Sequence, residues 1–97
     1  MVETKLELET FLGLKGSTFE ICFEVGFVAA ELKNVVVRGK DPKGTRDLYS
    51  LYFLAQISAV QAQGTYVVKS AQMGEFAIFL VPVSQNDWGV EYEAIFN

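Results

Sequence analysis

Residues 64–96 read GTYVVKSAQMGEFAIFLVPVSQNDWGVEYEAIF, and this stretch decides the fold. Thr65-Tyr66-Val67-Val68-Lys69, rich in β-branched and aromatic residues, predicts a strand. Ala71-Gln72-Met73-Gly74 predicts a turn, Glu75 to Val83 a second strand, Ser84 to Gly89 a hairpin loop and Val90 to Phe96 a closing strand. In that last strand Tyr92, Ala94 and Phe96 fall on one side and Glu91, Glu93 and Ile95 on the other. Connections this short imply antiparallel pairing, because a parallel pair needs a crossover of a dozen or more residues.

The same signals extend toward the N-terminus. Phe19, Ile21, Phe23 and Val25 alternate with Glu20, Cys22, Glu24 and Gly26, as in a strand with one buried face. Val28, Ala30 and Leu32 continue the alternation, and Asn34-Val35-Val36-Val37 breaks its phase, which predicts a bulge near Lys33-Asn34. Gly39-Lys40-Asp41-Pro42-Lys43-Gly44-Thr45 is the strongest turn signal in the chain. Leu48 to Leu54 is apolar or aromatic at nearly every position, a strand wetted on neither face or only at its edges. Residues 55–63 read as a loop with one helical turn through Ile57 and Val60. Ahead of all this, Thr4-Lys5-Leu6-Glu7 has the spacing of a capping box, and Leu8, Phe11 and Leu12 form the stripe of a short helix ending at Gly13 or Gly16. No internal repeat, low-complexity tract or linker is visible.

The expected fold is therefore all-β: a small antiparallel six-stranded barrel or roll, a meander, with a short N-terminal helix plugging an end or covering a face. Curling the sheet removes exposed edges and gives the apolar strands a common interior. A length of 97 residues bounds this to one domain, residues 1–97, with one core.

Composition excludes much chemistry. The chain has no histidine and one cysteine, so no triad or metal site built on imidazole, no Cys/His zinc cluster and no intrachain disulfide can form. Net charge is −4, from 12 acidic and 8 basic residues. Residues 75–97 hold four acidic side chains and no basic one, whereas residues 25–74 carry an excess of basic ones. An acidic total argues against nucleic acid. The N-terminus lacks the layout of a secretory signal, and no apolar run approaches the ~20 residues of a membrane span, so a cytoplasmic protein with no membrane partner is expected.

Candidate sites are few. Gly39 to Thr45 has glycines spaced as in a phosphate-binding loop, but Gly44 is followed by Thr45 and Arg46 where the lysine belongs, and a strand follows where a helix should open. The cluster Arg38, Lys40, Lys43 and Arg46 reads as a solvated hairpin loop, with an acidic partner, such as the acidic C-terminal strand of another copy, as the sharper reading. Asp87, Glu91 and Glu93 would serve acid/base work or Ca²⁺ only if they converged in a buried cleft; a solvated outer face is the plainer reading. Cys22, flanked by Glu20 and Glu24 and without a base, reads as a small apolar filler. No catalytic, cofactor-binding or metal-binding residue is assigned, and no cofactor is expected.

The apolar surplus is more informative. Phe76, Ile78 and Leu80 face one way and Ala77, Phe79, Val81 and Val83 the other, and a barrel interior can use only one set. The second set, with the apolar side of Leu48 to Leu54, marks a candidate interface of Leu48, Leu51, Phe53, Ala77, Phe79, Val81 and Val83 for a protein partner or a homo-oligomer. Pro82 cannot donate to a ladder and implies an edge, a bulge or a strand end. The alternative is a barrel binding a small apolar ligand in its mouth, lined by Tyr49, Tyr52, Tyr66 and Trp88.

Gly64-Thr65-Tyr66, then Gly74, Phe79-Leu80-Val81-Pro82-Val83 and the ending Tyr92-Glu93-Ala94-Ile95-Phe96-Asn97 resemble a family of small bacterial domains of unknown function with G-T-Y, F-L-V-P-V and Y-E-A-x-F-N motifs. Phe11 with Gly16-Ser17-Thr18-Phe19, and Ser50-Leu51 with Phe53, fit the same family. The resemblance brings no catalytic residue. It associates the chain with gene neighbourhoods of phage-tail-like collar or fibre proteins and so implies a structural or assembly accessory without enzymatic activity.

Overall fold

The computed structural model describes residues 6–97. One short helix, α1 (Leu8–Gly13), precedes six strands: β1 (Thr18–Phe23), β2 (Gly26–Lys40), β3 (Asp47–Ala55), β4 (Gly64–Ser70), β5 (Gly74–Asn86) and β6 (Gly89–Phe96). All neighbouring pairs are antiparallel and the sheet closes on itself in the order β1-β2-β3-β6-β5-β4. The antiparallel six-stranded barrel read from the sequence is thus present, but its strand order is not that of one continuous meander. Two three-stranded meanders, β1-β2-β3 and β4-β5-β6, join at β3–β6 and at β1–β4. Hairpin signals define which strands are sequential neighbours; they carry no information on how two such units close.

The backbone repeats although the sequence does not. Exchanging β1, β2 and β3 for β4, β5 and β6 swaps β1–β2 with β4–β5 and β2–β3 with β5–β6, and maps β1–β4 and β3–β6 onto themselves. Cys22 opposite Val67 and Phe53 opposite Tyr92 are the residue pairs through which this exchange runs. The register shift after Leu32, which faces Phe53, has its counterpart in the shift after Pro82, which faces Tyr92. Both fall where a phase break at Lys33-Asn34 and the missing N–H of Pro82 predict irregularity.

The interior is filled by aromatic and branched side chains from every strand. Phe19, Ile21 and Phe23 from β1 meet Leu32, Leu51, Phe53, Val68, Leu80 and Tyr92, all with almost no exposure. Rings interlock edge-on or tilted: Phe19 with Phe53 at 5.2 Å, Phe23 with Tyr66 at 4.9 Å and with Tyr92 at 5.3 Å.

The two ends are closed differently. At one, the six-residue α1, too short to persist alone, is held by fully buried Phe11, whose ring contacts Tyr49, Phe76 and Phe96. Tyr49 stacks on Phe96 at 4.7 Å and donates its hydroxyl to the Leu6 carbonyl at 3.0 Å. At the other end residues 56–63 cross from β3 to β4 as an irregular loop, without the expected helical turn. The Gln61 N–H donates to the Tyr92 hydroxyl at 2.9 Å, and the Tyr66 hydroxyl donates to the Ala62 carbonyl. The capping-box expectation also needs correction. Thr4 lies outside the described residues, and Glu7, which the box would place within the first helical turn, is extended (φ −107°, ψ 142°) and itself occupies the N-cap position without a side-chain cap bond.

Candidate functional site

Outward-facing positions on four consecutive strands line up into one apolar row. Phe27 of β2 lies opposite Cys22 of β1, Cys22 opposite Val67 of β4, and Val67 opposite Ala77 of β5. Phe79, two residues on from Ala77, extends the row as the partner of Thr65. Phe27, Val67 and Phe79 are 47%, 41% and 52% exposed, unusual for side chains of this size in a small domain whose own interior is already full. Cys22 sits half-buried at the centre of the row.

The neighbouring row is charged. Glu20 lies opposite Lys69, and Lys69 opposite Glu75. The Lys69 ammonium stands 4.1 Å from the centroid of the Phe27 ring, a cation–π contact that lays an aliphatic stem along the apolar row. Across β2, β3 and β6, Val36, Ser50 and Ile95 lie in register, with Val36 and Ile95 exposed and Ser50 buried between them.

The sequence-derived interface divides cleanly. Ala77, Phe79 and Val83 are exposed, and Val81 and Leu48 are half-buried on the outside. Leu51 and Phe53, by contrast, point inward and are fully buried, so they belong to the core and leave the candidate surface. β3 is apolar on both faces, and nothing in its own sequence sets which face turns in. Phe27 and Val67, the two large side chains that complete the row, escape a sequence reading for a related reason. Phe27 follows the turn at Gly26, and Val67 adjoins the equally apolar Val68, so neither announces its phase.

The four residues of the ligand-pocket alternative do not converge. Tyr49 closes the α1 end of the barrel, and burial followed by the charges of Asp47 and Glu7 pushes its pKa up to about 12. Tyr52 faces outward and donates to Glu93 at 2.7 Å, a hydrogen bond that raises its pKa. Tyr66 serves the opposite end, and Trp88 stands 75% exposed on the β5–β6 hairpin. No common mouth lined by the four exists.

A cleft does lie beside Trp88, on the outside of the barrel. It has a volume of about 1120 Å³ and is walled by β2 at Glu31 and Lys33, by Leu54 and Ile57, and by the hairpin from Gln85 to Glu91. Asp87 and Glu91 line it, whereas Glu93 is engaged by Tyr52 outside it. The three acidic residues singled out in the sequence are thus not brought into one site. Among the described residues, no group of three or more Cys, Asp or Glu side chains is arranged to hold a metal ion.

The basic cluster is partly consumed by the fold. Arg38 donates to the carbonyls of Tyr49 at 3.2 Å and Phe96 at 2.8 Å and to Asn97 Oδ1 at 3.1 Å. Lys40 pairs with Asp47 at 2.9 Å. Asp41 accepts the Thr45 hydroxyl and the N–H groups of Thr45 and Arg46, and these bonds, the Thr45 hydroxyl first, hold its carboxyl below the usual range. Lys43 and Arg46 remain exposed at the tip.

The barrel and its outer row define a small closed antiparallel β-barrel domain that presents its apolar surplus outward. Residues 6–96 match the family described as Domain of unknown function (DUF6916), and the chain belongs to it. The family of small domains of unknown function expected from the sequence resemblance is thereby shown. No curated protein and no solved structure matches the chain. No helix among the described residues is long and apolar enough to cross a membrane.

Proposed function

We propose that this domain is a non-enzymatic interaction module that self-associates through the outer face of β2, β1, β4 and β5. The observation that carries the reading is the row Phe27–Cys22–Val67–Ala77 with Phe79, apolar and exposed outside a barrel whose interior is already packed. Covering such a row removes apolar area from water at roughly 25 cal/mol per Å². The acidic residues singled out in the sequence support the non-enzymatic reading: Asp87 is exposed and Glu93 is bound to Tyr52, so neither joins Glu91 in a buried carboxylate pair. The resemblance to domains encoded beside phage-tail-like proteins favours a role as an accessory of a larger assembly, in which a repeated contact between copies is useful.

Light scattering across a concentration series tests this. At about 500 mM salt, where contacts between exposed charges are screened, masses above that of one chain are expected for the natural sequence, and Phe79→Glu or Val67→Glu, both at exposed positions, should return the protein to a single chain. A strict monomer at the highest concentration, or association indifferent to both substitutions, would overturn the reading.

A further inference from the structure

The two hairpins that exchange with one another in the repeated backbone carry opposite charge. The β2–β3 hairpin tip presents Lys43 and Arg46, exposed and in no salt bridge among the described residues, with Arg46 close enough to Asp41 for their charges to interact. The cleft beside the β5–β6 hairpin presents Asp87 and Glu91, likewise without one, together with the indole of Trp88. Neighbouring antiparallel strands β3 and β6 each start at their own hairpin, so the basic tip and the acidic cleft lie at opposite ends of the barrel. A single copy cannot satisfy one with the other.

The geometry points to a head-to-tail contact between copies, in which the Lys43–Arg46 tip of one copy enters the cleft formed by Asp87, Trp88 and Glu91 of the next. Two cations that form no salt bridge among the described residues meet two such carboxylates, and the exposed indole offers its face to either cation. The tip is pre-organised for insertion: Pro42 stiffens it, and Asp41 gathers Thr45 and Arg46 through hydrogen bonds of 2.6 to 3.2 Å. The cleft, at about 1120 Å³, exceeds the ~300–1,000 Å³ of usual small-molecule pockets and has room for a hairpin tip. A contact between two different surfaces is heterologous, so it propagates into a ring or a filament and does not stop at a dimer. It is distinct from the apolar row and depends on charge.

Sedimentation velocity separates the two contacts. In a Phe79→Glu background, which removes the apolar contact, the chain at about 50 mM salt is expected to grow beyond one copy, and at about 500 mM salt that growth should vanish because exposed pairs are screened; the charge variants below are made in the same background. Lys43→Glu with Arg46→Glu leaves both ends acidic, and Asp87→Lys with Glu91→Lys leaves both basic; each double variant alone should lose at least about ten-fold in association. Mixing the two variants restores complementary ends and should restore growth, which neither misfolding nor a purely structural role would produce. Growth that persists in both double variants and at high salt, or a mixture that stays as inert as its components, would overturn the proposal. Loss of association on Phe79→Glu, with indifference to charge reversal, would leave the apolar contact standing and this one refuted.

Discussion

Gly89, at the head of β6, passes so close to Ala55, at the end of β3, that a Cβ on Gly89 would lie 2.0 Å from the Ala55 carbonyl oxygen. Its φ of +150° adds a second reason for glycine. The obstacle is backbone, which cannot swing aside, and it lies at the seam joining the two meanders. Gly89→Ala should therefore cost about 3 kcal/mol or more. Gly13 supplies the contrast: its φ is not positive and nothing lies within 4 Å of a Cβ there, so Gly13→Ala should be neutral or stabilising by roughly 0.5 kcal/mol. Urea unfolding of both variants reads the difference, and equal midpoints would contradict the packing at this seam.

Phe53 and Phe79 reverse the expectation that both belong to one surface. Phe53 is fully buried against Phe19, whereas Phe79 stands half in solvent. Phe53→Ala should destabilise by about 3–5 kcal/mol and Leu51→Ala by about 2–5 kcal/mol, through lost burial and a residual cavity. Phe79→Ala should stay within about 0.5 kcal/mol in the monomer. Chemical denaturation at low protein concentration measures all three, and a large cost at Phe79 would place that side chain inside.

These two residues also show what a sequence reveals. Where polar and apolar residues alternate, as from Phe19 to Phe23, the buried face is legible because the strand period of two assigns every second side chain inward. The register shifts after Leu32 and Pro82 are legible too, since a phase break and a proline each forbid a regular ladder, whereas the shift between Val37 and Gly39 carries no such signal. In β3 both phases are apolar, and only the closed barrel decides that Leu51 and Phe53 turn in while Tyr52 and Leu54 turn out. The candidate row was half legible for the same reason: Ala77 and Phe79 declare a surplus face, but their continuation through Val67, Cys22 and Phe27 depends on β1 pairing with β4, which no local signal encodes.

Arg38 fastens the C-terminal strand to the β2–β3 hairpin through two carbonyls and the Asn97 side chain. Charge-assisted bonds of this kind are worth more than neutral ones, but the site is largely exposed. Arg38→Ala should cost about 1–2 kcal/mol, with Arg38→Lys recovering only part because the lysine side chain is one bond shorter than the reach to Nη2, the nitrogen that makes all three bonds. Hydrogen exchange should accelerate at Ile95 and Phe96 in the alanine variant while the amides of β1 stay protected. Uniform acceleration across the barrel would show that Arg38 acts globally and is not a local fastener.

Tyr49 makes alkaline stability a readout of the α1 end. Its pKa of about 12 in the folded chain compares with 10.0 for an unperturbed tyrosine, because the buried ring resists ionisation. Below pH 10 the hydroxyl is protonated in both states and its contribution is intact. As pH rises from 10 toward 12 the unfolded chain releases this proton first, so stability falls with pH across that window. Tyr52 and Tyr92, whose pKa values are also raised, act in the same direction. Tyr49→Phe removes the hydroxyl that donates to the Leu6 carbonyl and should cost about 1 kcal/mol at pH 8. The same substitution removes one ionisation, so the decline from pH 10 to 12 should be shallower than in the natural chain. Denaturation midpoints at pH 8, 10 and 11.5 separate these effects: a variant less stable at pH 8 yet equally steep at high pH would mean that the Tyr49 hydroxyl is reached by solvent, and that Phe11 does not seal this end of the barrel.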